Sequence, residues 1–391
     1  MRINHILLKN FKCFRETDIR VSRITLLTGE NSSGKSSVLY GLLTPFQSKF
    51  PFYLSPNGKY VTMGDFREMS FNNLKENKIG IDFSVIPEKD EEEENFRTLW
   101  KIDAAGRMPE LDYLKYRTSS KYLEAVSDGD CYRVSSLFGE GPAVNAKEKY
   151  KKLYGFLYSL DIKISGEMSR SLNFIGPFRP EPERTYYQKT KADEKIGKSG
   201  EGYIDQILEW ENHKAEEIKT LRAILKNLGL FDTMKVSQLP GGRFELNVRV
   251  RPKGVWASLA DVGFGISQFL PVITADLQLP DHSALLLAQP EIHLHPSVQA
   301  ALGDYFVRQV RETDKQYIVE THSEYLLNRI RLAIVKREID PSDVSVYYFE
   351  NSVKGSKTYP VEFTTDGQIR NAPKGFFDTY MMDTMDIALH A

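Results

Sequence analysis

The 391-residue chain predicts an α/β fold with a mainly helical insertion, and three observations carry that expectation. Ile24-Thr25-Leu26-Leu27, short, apolar and partly β-branched, leads through a glycine-bounded loop into Lys35–Leu43, the pattern of strand, loop and helix. Leu285–Ala288 and Gln316–Glu320 return to strand character late in the chain. Between them, residues from about 108 to 165 carry Tyr and Leu at mixed spacing, as in Ala146–Leu160, and read as containing helical stretches.

The elements follow in order. Ile3–Leu8 and Asp18–Ser22 read as strands flanking Asn10-Phe11-Lys12-Cys13-Phe14. Phe50–Asn73, rich in Pro, Gly and Asn, is an excursion before the strand Ile79–Val85. The acidic run Glu88–Glu94 reads as a solvated loop, because like charges repel one another. Asn173-Phe174-Ile175 is strand-like and stops at Gly176-Pro177. Thr185–Gly202 is polar, with glycines at 197, 200 and 202. Tyr203–Leu228 reads as one helix with an apolar stripe through Ile207, Ile218, Leu221, Leu225 and Leu228, capped by Gly229. Arg243–Val250 alternates as a strand. Asp261–Gln268 is a Gly-rich turn that opens a helix over Phe269–Leu277. The expected divisions are residues 1–85, an insertion at 86–240, a second α/β part at 241–345 and a small C-terminal part at 346–391.

Composition narrows the class. The chain is 41% hydrophobic and 27% charged, which excludes global disorder. A net charge of −1 gives no overall basic field. Cys13 and Cys131 lack metal spacing, so reduced thiols are expected rather than a disulfide framework. The N-terminus lacks a secretory pattern, and no apolar run reaches the roughly 18 residues of a membrane span. A cytoplasmic protein without a membrane partner is expected.

Gly29-Glu30-Asn31-Ser32-Ser33-Gly34-Lys35-Ser36 completes the pattern G-x-x-x-x-G-K-[ST]. Gly29 and Gly34 allow tight turning, so that successive N–H groups across Glu30, Asn31, Ser32, Ser33 and Ser37 hold phosphate oxygens. The helix N-terminus adds its positive dipole end. Lys35 supplies charge to the β/γ-phosphates, and the Ser36 hydroxyl can ligate Mg²⁺. ATP and Mg²⁺ are the expected cofactors. An apolar strand running into Gln289-Pro290-Glu291 is how a nucleotide site brings a carboxylate to the metal and the attacking water. His322 follows a second such strand, in position to sense the γ-phosphate or orient water. The turn with Gly263 and Gly265 is a second anion cradle. Two cradles in one chain make sense if one serves ATP held by another copy.

This set of motifs resembles the ABC-type ATPase heads of the SMC, RecF and OLD families. It is most similar to the compact bacterial ATPases that end in a small domain of unknown function. The residues that carry the resemblance are Asn10–Phe14, the phosphate loop, Asn57-Gly58 with Gly64-Asp65-Phe66, and Gly176–Arg179 with Pro182-Glu183-Arg184 and Tyr186. Asp261–Gln268, Gln289–Pro296, Glu320–Leu326, and the tail Asp366-Gly367-Gln368 through Gly375–Asp378 complete them. The resemblance implies a bilobal ABC/SMC-type ATPase head in which two heads sandwich two ATP molecules. Gly263, Gly265, Ser267 and Gln268 of one head would face the phosphate loop of the other, and Lys12 would join the nucleotide contacts. Gln289 falls in the slot of the catalytic Glu, where it orients water, and Glu291 is the remaining carboxylate candidate. The family's Mg²⁺ carboxylate aligns with position 288, where this chain has Ala288, which offers no oxygen. Either the lineage lost the group or it was replaced to trap ATP; the intact flanks favour replacement. Impaired hydrolysis with retained ATP binding is expected.

The resemblance further implies an ATP-gated dimerisation switch. Relatives of this size serve as the ATPase subunit of bacterial anti-phage systems, Septu-like or PARIS-like, beside a separate nuclease-like effector. A RecF-like DNA-repair ATPase is the alternative; it needs a basic face, for which Lys147, Lys149, Lys151 and Lys152 are candidates, although a solvated helix face explains them better. A transporter ATPase fits the SMC-like start and tail poorly. His293, His295 and His322 permit a Zn²⁺ reading, but Leu294-His295-Pro296 suits a loop at the dimer seam better. The chain shows no Toprim-like acidic cluster and no C-x-x-C zinc hook.

Overall fold

The computed structural model describes residues 1–129, 131–136, 139–140, 153, 168–187, 195–373 and 375–376. From the N-terminus come β1 (Arg2–Phe11), β2 (Phe14–Arg20), β3 (Ile24–Gly29), helix α1 (Lys35–Gln47) and the one-turn helix α2 (Phe66–Met69). A run of strands follows: β4 (Ile79–Ile86), β5 (Glu94–Ile102), β6 (Pro109–Arg117), β7 (Tyr122–Asp128), β8 (Cys131–Ser136), β9 (Gly139–Glu140) and β10 (Leu172–Ile175). Next are β11 (Tyr186–Tyr187), α3 (Tyr203–Asn212), α4 (Glu216–Asn227), β12 (Thr233–Leu239), β13 (Arg243–Arg249), β14 (Ala257–Ser258) and α5 (Phe264–Gln278). The remainder is β15 (Ala284–Ala288), α6 (Pro296–Thr313), β16 (Gln316–Glu320), α7 (Glu324–Val335), β17 (Val344–Glu350), β18 (Lys357–Phe363) and β19 (Ile369–Arg370).

The central sheet has the order β10-β15-β16-β3-β17-β18-β19, parallel from β10 through β17. Residues of β3, β15 and β16 are buried along nearly their whole length, as parallel strands covered on both faces require. Their side chains sort by parity into two cores. Leu285, Leu287, Tyr317 and Val319 pack with α5, α6 and α7. Ala284, Leu286, Ala288, Ile318 and Leu27 pack on the other face with α1 and the antiparallel sheet β2-β1-β4-β5-β6-β7-β8-β9. The head is therefore α/β with two lobes divided by the central sheet. A smaller antiparallel sheet of β11, β13, β12 and β14 lies beside α3 and α4 in the first of these cores.

Helix α1 forms the hinge of this packing. Val38, Leu39, Leu42, Leu43 and Phe46 are all buried against the antiparallel lobe. Phe50, from the following excursion, stands 5.3 Å from Phe83 and 5.5 Å from Phe96, contacts worth about 0.5–1.5 kcal/mol each beyond area burial. The excursion also holds α2, whose capping box pairs Asp65 with Glu68.

Three expectations about local structure change. From 109 to 136 the described chain is strand, not helix: β6, β7 and β8 bury alternate residues such as Leu111, Leu123, Ala125, Tyr132 and Val134. The intervening charged and Tyr residues gave a mixed spacing, whereas the working period is two. Tyr203–Leu228 is broken at His213–Ala215, where Lys214 takes a left-handed φ of 52°. Gly229 caps the second piece at φ 72°. Helix α5 starts at Phe264, inside the Gly-rich run. Ala146–Leu160, apart from Leu153, and Lys147, Lys149, Lys151 and Lys152 lie outside the described residues. Among the described residues, no helix is long and apolar enough to cross a membrane.

Candidate functional site

The phosphate-loop sequence builds its site from local backbone geometry. Gly29 ends β3 at φ 128°, and a Cβ there would stand 2.2 Å from the Phe349 carbonyl oxygen of β17. Gly34 has φ 102°, and a Cβ would meet Cys13 Sγ at 2.4 Å. Both positions therefore demand glycine. Between them Ser32 takes φ 58°, and Ser33 Oγ donates to the Glu30 carbonyl at 2.7 Å. Helix α1 starts at Lys35 with no side-chain cap and no acid in its first turn. Its first N–H groups and dipole thus face the loop without a capping side chain.

The loop is braced from the C-terminal part of the chain. Glu30 N donates to Phe349 O at 3.1 Å. Asn351 N donates to Glu30 Oε2 and its Nδ2 to Asn31 O, each at 2.9 Å.

The Lys35 ammonium is 3% exposed and folds back onto the Gly29 and Glu30 carbonyls at 3.0 and 2.5 Å. Burial lowers its pKa, with Glu320 and Glu30 opposing. Ser36 Oγ lies 2.8 and 3.0 Å from the two carboxylate oxygens of Glu320, at the end of β16, and donates into them. Burial raises the Glu320 pKa, while Ser36 and Lys35 pull it down. Lys12, at φ 52°, points Nζ towards Met63 O at 3.4 Å; burial lowers its pKa against the field of Glu68. Lys12, Cys13, Ser32–Ser37, Glu68 and Glu320 line one cleft of about 480 Å³.

The donor set fits a nucleotide phosphate with a hard divalent cation. It combines uncapped N–H groups, one buried and one half-buried ammonium group, a hydroxyl and a carboxylate. Glu320 was not among the site residues read from the sequence. Its signal was an acid closing an apolar run in step with Leu285–Ala288, and only the fold sets that acid against Ser36.

The other expected residues are distributed around this cleft. Gln289, in a left-handed turn at φ 48°, donates its N–H to Glu320 O at 2.8 Å. Glu291 is 7% exposed, and its Oε1 accepts the His322 N–H at 2.8 Å. Burial raises its pKa. Neither Gln289 nor Glu291 lines the cleft. His322 lines a smaller hollow on the other flank of the loop with Thr28, Gly29, Glu30 and Phe376. Partial shielding of its ring, together with Lys35, lowers the His322 pKa.

Gly263, Gly265, Ser267 and Gln268 lie apart from the cleft in their own chain. Gly263 is exposed with open space at its Cβ position, whereas Gly265 packs on the His293 carbonyl. Ser267 and Gln268 are 1% and 3% exposed. Gln268 Nε2 donates to Arg179 O and Pro180 O. Arg179 in turn donates to Gln268 O and Ala288 O at 3.2 Å and to Gln289 O at 3.3 Å. Burial lowers its pKa to about 10, against the pull of Glu291. Arg179 thus ties the start of α5 to the end of β15. His295 caps α6 through Ser297, and among the described residues no group of three His, Cys, Asp or Glu side chains forms a metal cluster.

A family model described as AAA ATPase domain matches residues 1–152 and 179–327. A second, described as a protein of unknown function (DUF3696), matches residues 339–387. No curated protein matches the chain. Among solved structures, an SMC head bound to the C-winged helix domain of ScpA is similar with a TM-score of 0.51 and 13% identity, covering 93% of this chain and 98% of that one. The SMC head domain from Thermotoga maritima gives 0.46 at 15% identity, covering 93% and 100%. An Smc head with an extended coiled coil, bound to the C-terminal domain of ScpA derived from Pyrococcus furiosus, gives 0.45 at 12%, covering 99% of each chain. The fold described above is the SMC head fold.

Proposed function

This chain belongs to the AAA ATPase domain family, and from that premise we propose that it is an ATP-gated switch whose heads pair on ATP and part on hydrolysis. The observation that carries the reading is the single cleft that gathers the uncapped start of α1, Lys35, Lys12, Ser36 and Glu320. Loop N–H groups hold the phosphates. Lys35 exchanges its loop carbonyls for the β/γ-phosphates, which restores an anionic partner to a buried cation. Mg²⁺, held at Ser36, would neutralise charge developing between the β- and γ-phosphates. Gln289 orients the attacking water without taking its proton, and Glu291 fixes the His322 backbone beside the loop. The exposed Gly263 turn serves ATP held by a second copy.

The motif resemblance supports a role as the ATPase subunit of a bacterial anti-phage system with a separate nuclease-like effector. A solved head of the same fold that carries a separate protein, the ScpA winged helix, supports a docked partner. The test is Lys35→Ala, read by binding of a fluorescent ATP analogue. Losing a charge-assisted contact costs about 1.5–3 kcal/mol, so affinity falls roughly 10- to 150-fold. Unchanged affinity refutes the site. Solution mass with and without ATP tests pairing: a mass that stays monomeric with ATP bound refutes the switch.

A further inference from the structure

The position at which the family's Mg²⁺ carboxylate is expected is Ala288, a methyl group. Yet the cleft does contain a carboxylate aimed at the Ser36 hydroxyl. Glu320 and Ala288 are directly paired Cα partners on the adjacent parallel strands β16 and β15. Ala288 packs in the core on the α1 face, and Ser36 at the start of α1 receives Glu320 from that same face. Glu320 is 6% exposed. The other carboxylates near the loop are engaged elsewhere: Glu68 Oε2 accepts the Asp65 N–H in the α2 capping box, and Glu30 Oε2 accepts the Asn351 N–H. Lys35 lies close enough to stabilise the Glu320 charge, but its ammonium hydrogen-bonds the loop carbonyls.

We infer that Glu320 is the carboxylate that holds the divalent cation here, with Ser36, in place of a residue at 288. The inference rests on the ATP-site reading above. A nearly buried carboxylate whose hydrogen-bonded side-chain partner is a neutral hydroxyl is costly to keep ionised. A divalent cation brought in with the nucleotide supplies the missing positive charge. The ligand chemistry also matches, since carboxylate and hydroxyl oxygens suit a small hard cation. Glu320 moves the metal anchor one strand towards β3. The anchor then directly precedes Thr321 and His322 in the chain, so the residue that reads the γ-phosphate lies two positions from the residue that holds the metal.

The test compares wild type with Glu320→Gln for ATP binding in EDTA and in Mg²⁺, and for bound Mn²⁺ by electron paramagnetic resonance in the presence of ATP. Gln keeps the size and an acceptor for Ser36 but lacks the charge. The expected result is loss of the affinity gained from Mg²⁺, with Mn²⁺ held at least about tenfold more weakly. Glu320→Asp, which keeps the charge on a shorter arm, should retain part of the Mn²⁺ signal and guards against a variant that fails to fold. Full Mn²⁺ binding by Glu320→Gln overturns the inference and leaves the ATP site standing. A wild-type chain that binds no ATP in either condition overturns the ATP-site reading itself. A merely structural role for Glu320 would lower thermal stability and leave the Mg²⁺ dependence unchanged.

Discussion

Ala288→Glu puts a second carboxylate beside Glu320, and the paired strands set the scale of the effect. Neighbouring strands lie about 4.8 Å apart, and residues 288 and 320 are register partners. Two charges at about 5 Å with an effective dielectric near 20 repel by about 3 kcal/mol. Position 288 is 4% exposed, so solvent screens this little. The extra bulk also costs stability, and Ala288→Gln measures that part; the Glu-minus-Gln difference isolates charge. Burial already raises the Glu320 pKa, and a neighbouring carboxylate raises the pair further. The folded chain then binds more protons than the unfolded one. The charge penalty is therefore absent below the ordinary carboxylate range and grows as pH rises through it to the raised values. Urea unfolding in EDTA at pH 8 and pH 5 should show the Glu variant less stable than the Gln variant by about 3 kcal/mol at pH 8, and by much less at pH 5. Mg²⁺ with ATP should remove most of the difference, because the cation neutralises both carboxylates. A difference below about 0.5 kcal/mol at pH 8, or one that ignores pH, refutes the shared site.

Two further outcomes are expected. Ser267 is too buried to carry a bulky probe of head pairing, but Gly263 is exposed with open space; Gly263→Arg should bind ATP normally yet stay monomeric by light scattering, and an ATP-dependent dimer of that variant would remove the second cradle from the seam. Glu291→Gln should flatten the stability profile between the ordinary carboxylate range and neutral pH, because the raised pKa makes wild type lose stability as pH rises there; a profile unchanged from wild type in urea titrations would show that Glu291 is not the buried titrating acid.

The phosphate loop was legible because its determinants are local: a strand, two glycines at forced dihedrals and a helix start follow one another within twenty residues. The strands β6 to β8 were not, since their core residues alternate with Tyr, Lys and Glu whose spacing imitates a helix until the antiparallel partners are known. Helix α5 begins at Phe264, inside the Gly-rich run expected as a turn, which buries Ser267 and Gln268 and sets Gln268 against Arg179. Glu320 depends on contacts that span 284 residues to Ser36, which no local pattern encodes.

The brace on the loop has a consequence for how the chain is made. Strand β3 leaves the ribosome well before both of its sheet neighbours, β16 and β17, which come from residues beyond 315. Until those arrive, Ile24–Gly29 has two open edges, and Ile24 and Leu26 lack the later helices that cover them, the situation in which nascent chains pair wrongly or aggregate. The positive-φ turn at Gly29 likewise has no Phe349 to rest on, and Glu30 has no Asn351. A truncated product ending before residue 344 would carry every residue of the loop motif without the strand that shapes it. Nucleotide competence therefore waits until residues 344–351 have been made, and chains that stop short of them stay out of the ATP-bound pool.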